Sequence, residues 1–398
     1  MEVNKRLIVF SSFYGMLIIG ISLSMASPIL IEISNTFEKP VSFTAAIFTS
    51  FFIGYSFGPL LSKFFCRTVR RKIAIGVIFF IQTAFIFIFP FSKSLYFAFF
   101  IYSVIGLCGG FGDAALSTLL VEINPEKEGF FMNISHVFLS LGAFFGPYIS
   151  SLTLNSGLDW QASFYFFSAF SLLNLIVFIF IRVPNIGEFD YKIKKAGSFR
   201  LNKTKRLLSK SYIYLIAFLA VAIFLYVFSE SGLNAWTPTF LRLVKNYSQI
   251  NSSQVLSFFW LSMTLGRVAM GFISTKVNLS KATIIISILG ALCVILGIIS
   301  NKFLVSAVAF SVAGFFYSGI FPNILAIASI KFKKSQDTAI SLLITCAAAG
   351  GLLAPQFVGI VYRFFDLYKG LLAIGILPLI TALLIFYFNK MEDRKLNL

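Results

Sequence analysis

Twelve stretches of this chain are long and apolar enough to cross a bilayer, and nothing else in it limits the fold as much. A helix needs about 20 apolar residues to span the hydrocarbon core. Runs of that kind cover 6–32, 42–64, 73–91, 95–121, 129–153, 160–182, 211–240, 253–275, 281–300, 303–330, 336–363 and 369–389. Lipid gives the backbone no hydrogen-bond partner, so each run is expected as a helix that pairs its own N–H and C=O groups.

Composition supports the same reading. The chain is 58% hydrophobic, contains 51 Phe and is only 12% charged, against about 25% in ordinary soluble proteins. That excludes a soluble globular domain, a disordered chain and a secreted disulfide scaffold. Cys66, Cys108, Cys293 and Cys346 are scattered and read as small apolar residues. With one histidine in the chain, no metal site is expected. Lys5 and Arg6 ahead of the first run imitate a signal peptide. That run, however, exceeds the 7–15 residues of a signal's apolar core, so it is read as an uncleaved first span.

Most connections between runs are short. The exception is 183–210, polar, basic and broken by Pro184, Gly187 and Gly197. It divides the chain into a six-helix bundle over 1–182, a basic linker over 183–210 and a second six-helix bundle over 211–398.

The net charge of +18 invites comparison with a nucleic-acid binder, but the placement of the charges argues otherwise. With the N-terminus in the cytoplasm, 25 of the 33 basic residues fall on the cytoplasmic side and 7 outside, leaving Arg267 within a span. This bias orients a membrane protein. It predicts both termini and the linker in the cytoplasm, where anionic lipid also meets them, and no nucleic-acid partner.

The halves repeat at an offset of 208 residues. Gly58 matches Gly266. Ser103, Val104 and Gly106 match Ser311, Val312 and Gly314. Gly142 and Pro147 match Gly350 and Pro355. Parallel six-span repeats about an axis normal to the membrane suit a transporter with its site between the halves.

These features together resemble the major facilitator superfamily: twelve spans in two sixes, a basic central loop, and Gly58–Pro59 followed by Arg67, Arg70, Arg71 and Lys72. The resemblance implies an all-α membrane protein with two pseudo-symmetric bundles, the major facilitator fold. The acidic residue usual in the family's first cytoplasmic loop is missing here. Four further stretches narrow the resemblance: Tyr226 to Trp236, Trp260 to Arg267, Phe321-Pro322-Asn323, and Asn133 to His136 with Gly142, Gly146 and Pro147. They are similar to the fucose/glucose/galactose–proton symporter branch.

A carboxylate in mid-helix costs about 2.5–3.5 kcal/mol on insertion scales, so ionisable residues inside spans mark function. Four stand out. Asp113 follows the glycines Gly106, Gly109, Gly110 and Gly112, which let another helix approach. His136 lies at matching depth in the next span, and the two are expected to pair. The resemblance places proton coupling on Asp113, and His136 is a second candidate for it. Glu230 shares a helix face with Tyr226 and Asn234. Glu230, Asn234 and Trp236 offer hydroxyl partners and a flat apolar surface, as a sugar requires; Tyr317 and Asn323 join them as candidate substrate-binding residues. Gly232 and Pro238 are expected to loosen their helix. Arg267 is expected to pair with an acid at the cytoplasmic face, such as Glu122, as a gate or structural contact.

The sequence thus points to a secondary transporter of a small polar solute, most specifically a sugar, moved with protons by alternating access. Sodium stays open as the coupling ion. The expected setting is the plasma membrane, as a monomer, with the lipid bilayer and a small-molecule substrate as partners and no cofactor. A proton-driven exporter of drugs or lipophilic metabolites is the alternative, and a non-transporting sensor a more distant one. No P-loop, nucleophile elbow or H-E-x-x-H motif is present, which argues against an enzyme.

Overall fold

The computed structural model describes residues 5–183, 210–273 and 277–396. Of the expected linker over 183–210, residues 184–209 lie outside them, as does Lys276. Among the described residues, twelve helical spans run Lys5–Thr36, Val41–Cys66, Arg71–Phe91, Leu95–Ile123, Pro125–Asn155, Gln161–Ile179, Tyr214–Leu243, Gln249–Phe272, Leu279–Ile299, Phe303–Lys331, Thr338–Phe364 and Leu367–Met391. They are numbered spans 1 to 12. Each overlaps its expected run and differs by a few residues at the ends.

Burial differs among the spans. In span 1, 78% of the apolar window is enclosed, against 39% in span 3. The exposed side chains of the outer spans are large and apolar, including Phe80, Phe87, Phe180 and Leu292, as a lipid-facing surface requires.

The repeated glycines explain themselves in three dimensions. A Cβ on Gly106 of span 4 would drive into the Phe51 carbonyl oxygen of span 2; one on Gly314 of span 10 would drive into the Phe259 carbonyl of span 8. Phe51 and Phe259 are themselves 208 residues apart. Gly142 makes the same close approach to Leu17 of span 1, and Gly350 to Phe224 of span 7. Without side chains the backbones touch, as in other small-residue membrane crossings. A second pair of positions repeats as well. Glu38 and Asn246, the two non-glycine residues with positive φ (51° and 56°) among those described, also sit 208 apart. Each closes the helix before it, the C-terminal role of a left-handed residue.

Some spans are broken. Span 1 consists of Lys5–Ser24, a 3₁₀ turn at Ser27–Ile29 and Leu30–Thr36. Span 10 breaks at Ser318–Gly319, between Phe303–Tyr317 and Ile320–Lys331. Pro322 therefore falls in a first helical turn, where its missing N–H costs nothing. Span 7 corrects an expectation. It stays helical through Gly232 and Pro238, and Gly232 serves packing, since a Cβ there would lie 2.6 Å from Ile374. Helix ends are capped by side chains: Ser94 accepts from Phe97 N at 3.3 Å, Asn278 from Lys281 N at 3.0 Å, and Asp366 from Lys369 N at 2.6 Å. That backbone bond and the Lys369 ammonium hold the Asp366 carboxyl below the usual carboxylate range.

Candidate functional site: a polar cluster between the two halves

Spans 1 and 7, 2 and 11, and 5 and 8 pack across the two halves. Asp113 lies near the middle of span 4, part-buried. Its carboxylate accepts from the Tyr55 hydroxyl at 2.6 Å and, one turn along its own helix, from Ser117 at 3.4 Å. The glycines dictate this contact. Gly110, one turn before Asp113, lets span 4 touch the backbone at Tyr55, which brings that ring's hydroxyl onto the acid. The expected Asp113–His136 bond is not formed. The two groups lie close enough to interact electrostatically, but the tyrosine occupies the bonding position.

Arg267 of span 8 crosses to span 5. Its Nη1 donates to the His136 carbonyl at 2.7 Å and to the Ser140 hydroxyl. Its charge reaches His136, Tyr55, Tyr226 and Glu230. The expected Arg267–Glu122 pair is overturned. Glu122, at the end of span 4, forms a bidentate pair with Arg71 at the start of span 3, with Nη2 to Oε1 at 2.9 Å. Spans 3 and 4 are sequence neighbours that meet at this end, so Arg71 reaches the acid first. Arg71 is 3% exposed, and the pair supplies the acid that the loop motif lacks.

In span 7, Glu230 follows Tyr226 by one turn, and the two groups interact electrostatically. The Tyr226 hydroxyl donates to the Tyr317 carbonyl at 2.9 Å, and the Tyr317 hydroxyl meets Ser229 at 2.8 Å. Tyr317 is thus enclosed, with its hydroxyl spent. Asn323 differs. It is 3% exposed, and its Nδ2 has no partner among the described residues. A buried amide donor left unpaired costs about 1–3 kcal/mol, so it is a ready contact for a ligand acceptor.

Asn234 and Trp236, expected to bind substrate, are committed to packing. Asn234 donates from Nδ2 to the Leu23 carbonyl of span 1 at 3.1 Å and accepts from Trp260 Nε1 at 2.9 Å. Trp236 is fully enclosed and donates to the Pro355 carbonyl at 2.9 Å. Asn234 belongs to a seam that closes the end of the bundle opposite the termini. There Ser27 donates to the Asn234 carbonyl at 2.6 Å, Arg242 pairs with Glu32 at 2.8 Å, and Thr49 donates to the Leu352 carbonyl at 3.3 Å. Tyr55 and this seam are the parts that sequence reasoning missed. Tyr55 stands among Phe51, Phe52 and Phe57, where one more aromatic residue carries no signal.

Known proteins resemble the whole chain. It is 27% identical to the glucose/mannose transporter GlcP of Bacillus subtilis (strain 168), over 88% of this chain and 86% of that one. It is 22% identical to the TsgA homolog of Buchnera aphidicola subsp. Acyrthosiphon pisum (strain 5A), over 99% of each. Among solved structures, a D-xylose-proton symporter superimposes with a TM-score of 0.77 at 14% identity, covering 96% of this chain and 97% of that one. A bacterial homolog of the human lysosomal transporter Spinster, inward-facing and occupied, gives 0.76 at 13%, covering 98% of each. These two share the fold. The sequence model of the Major Facilitator Superfamily matches residues 12–355, and with twelve spans in the matching arrangement the chain belongs to that superfamily as a multi-pass integral membrane protein.

Proposed function

We propose that the protein is a secondary active transporter that moves a small polar solute of the sugar class together with protons. Two bundles, 1–182 and 211–398, alternate access to a site between them. The observation that carries the reading is the Asp113–Tyr55 pair at 2.6 Å, a protonatable carboxylate held in mid-membrane beside Arg267 and His136. Such a group costs free energy in a bilayer and is retained for ion or substrate work. The sugar class draws support from the glucose/mannose transporter and the D-xylose-proton symporter among the similar proteins. With the termini on the cytoplasmic side of the plasma membrane, the closed seam faces outward.

Uptake by the purified protein in proteoliposomes, across a sugar panel with and without a proton gradient, tests this. Asp113→Asn is expected to lose concentrative uptake while retaining counterflow. Concentrative uptake that survives in the variant removes Asp113 from coupling. Movement of hydrophobic cations instead of sugars replaces the reading with an exporter.

A further inference from the structure

Arg267 presents an unusual balance of contacts. It lies about 7–8 Å from the end of its span, taking five residues at 1.5 Å rise to Phe272. An arginine at that depth commonly snorkels along its own helix to the interface. This one turns sideways to span 5 instead, spending Nη1 on a carbonyl and a hydroxyl. Both partners are neutral. Among the described residues, no carboxylate stands within ion-pair distance of the guanidinium, and neither Nε nor Nη2 has a hydrogen-bond partner, although the residue is part-exposed inside the bundle. Asp113 and Glu230 belong to the same cluster, yet Asp113 is held by the Tyr55 hydroxyl and Glu230 reaches the guanidinium only electrostatically.

The anchoring of Nη1 matters. It fixes the plane of the guanidinium and leaves the Nε–Nη2 edge free. That edge presents two parallel N–H groups, the fork that receives a carboxylate in bidentate fashion. A neutral hydroxyl could accept one of those bonds but would leave the guanidinium without an ion partner, which a carboxylate supplies.

Resting on the sugar reading above, we propose that Arg267 binds a carboxylate on the substrate, so that the preferred solutes are sugar acids rather than neutral sugars. His136 and Ser140 act as positioning residues, holding the guanidinium from span 5. A proton carried by Asp113 removes a competing negative charge from the same cluster, so proton and anion favour each other's binding.

The test compares matched pairs on the purified full-length protein: D-glucuronate with D-glucose, and D-galacturonate with D-galactose. Proteoliposome uptake under an inward proton gradient and ligand-induced shifts in thermal unfolding are both read. The wild type is expected to prefer the acid by roughly 10–100-fold, the range of a hydrogen-bonded charged contact. Arg267→Gln should erase that preference, and Arg267→Lys should retain part of it. If Arg267→Gln fails to fold, the thermal shifts of the wild type decide alone. Glucose or galactose moving with protons while the uronates neither compete nor stabilise would overturn the inference and leave the sugar reading intact. If neither member of either pair moves or stabilises, the sugar reading fails as well.

Discussion

Asn234 offers a quantitative test of how the far end stays closed. Its amide joins the halves by donating to Leu23 O at 3.1 Å, and Trp260 Nε1 of its own half donates to its oxygen at 2.9 Å. Asn234→Ala removes both bonds. In the closed state, the Leu23 carbonyl then faces the interface without its cross-half donor. In the opposite state that carbonyl is free to reach water. Only the Leu23 bond is lost on opening; it contributes about 0.5–1.5 kcal/mol net, so the closed state loses that much, an equilibrium shift of roughly 2–13-fold. Spin labels at Lys39 and Leu243, exposed residues on opposite halves at the far end, report it by pulsed electron resonance in a background without native cysteines. The population with longer distances should grow. Glu32→Gln should shift it less, because the Glu32–Arg242 pair is about one-fifth exposed and such pairs contribute about 0–1 kcal/mol. An unchanged distance distribution in Asn234→Ala, or a smaller effect than Glu32→Gln, would refute the assignment of closure to the buried amide.

Other outcomes test the frame itself. Gly106→Ala and Gly314→Ala should each cost about 1–3 kcal/mol through overpacking, because the new methyl meets a carbonyl oxygen that cannot rotate away. Gly271→Ala, with nothing near the added carbon, should be neutral or slightly stabilising; chemical unfolding in micelles ranks the three. Glu122→Gln strands the Arg71 guanidinium, which is 3% exposed, and should cost about 3–5 kcal/mol. The double variant Arg71→Met/Glu122→Leu should recover most of that loss in the same assay.

The spans and the repeat were legible in the sequence because each follows from one-dimensional rules. Span length is set by the hydrocarbon thickness, and a glycine at a helix crossing has no substitute. Partner choice was not legible, because depth along a helix does not say which neighbour arrives first. Asp113 and His136 do lie in neighbouring helices, yet the span 2–span 4 crossing delivers Tyr55 to the acid. Glu122 was assigned to Arg267 for its charge, and Arg71 takes it from the adjacent helix. Asn234 and Trp236 have the residue types of a sugar site, but a packed interface uses the same donors and acceptors. The break at Ser318–Gly319 exposed no more than a common dipeptide, while the continuity of span 7 through Pro238 depends on packing that the sequence does not display.

The chemistry of the contacts also says which interfaces can move. Within each half, the crossings of spans 2 and 4, 8 and 10, 1 and 5, and 7 and 11 place backbone against backbone through glycine. Separating them opens voids along helices that have no side chain to fill the gap, and such voids forfeit dispersion contacts outright. The seam between the halves is built differently. Ser27, Thr49, Asn234 and Arg267 each reach from one half to a backbone carbonyl of the other. A carbonyl in a helix already accepts its own ladder bond, so when the seam parts it keeps one partner and gains water as the second. The freed hydroxyl, amide or guanidinium is likewise hydrated. Each such bond contributes only about 0.5–1.5 kcal/mol net, and more where it is charged, so the seam can close firmly and still open reversibly. Rigid bundles with a breakable seam follow from where glycine and where hydroxyl or amide side chains fall along the chain.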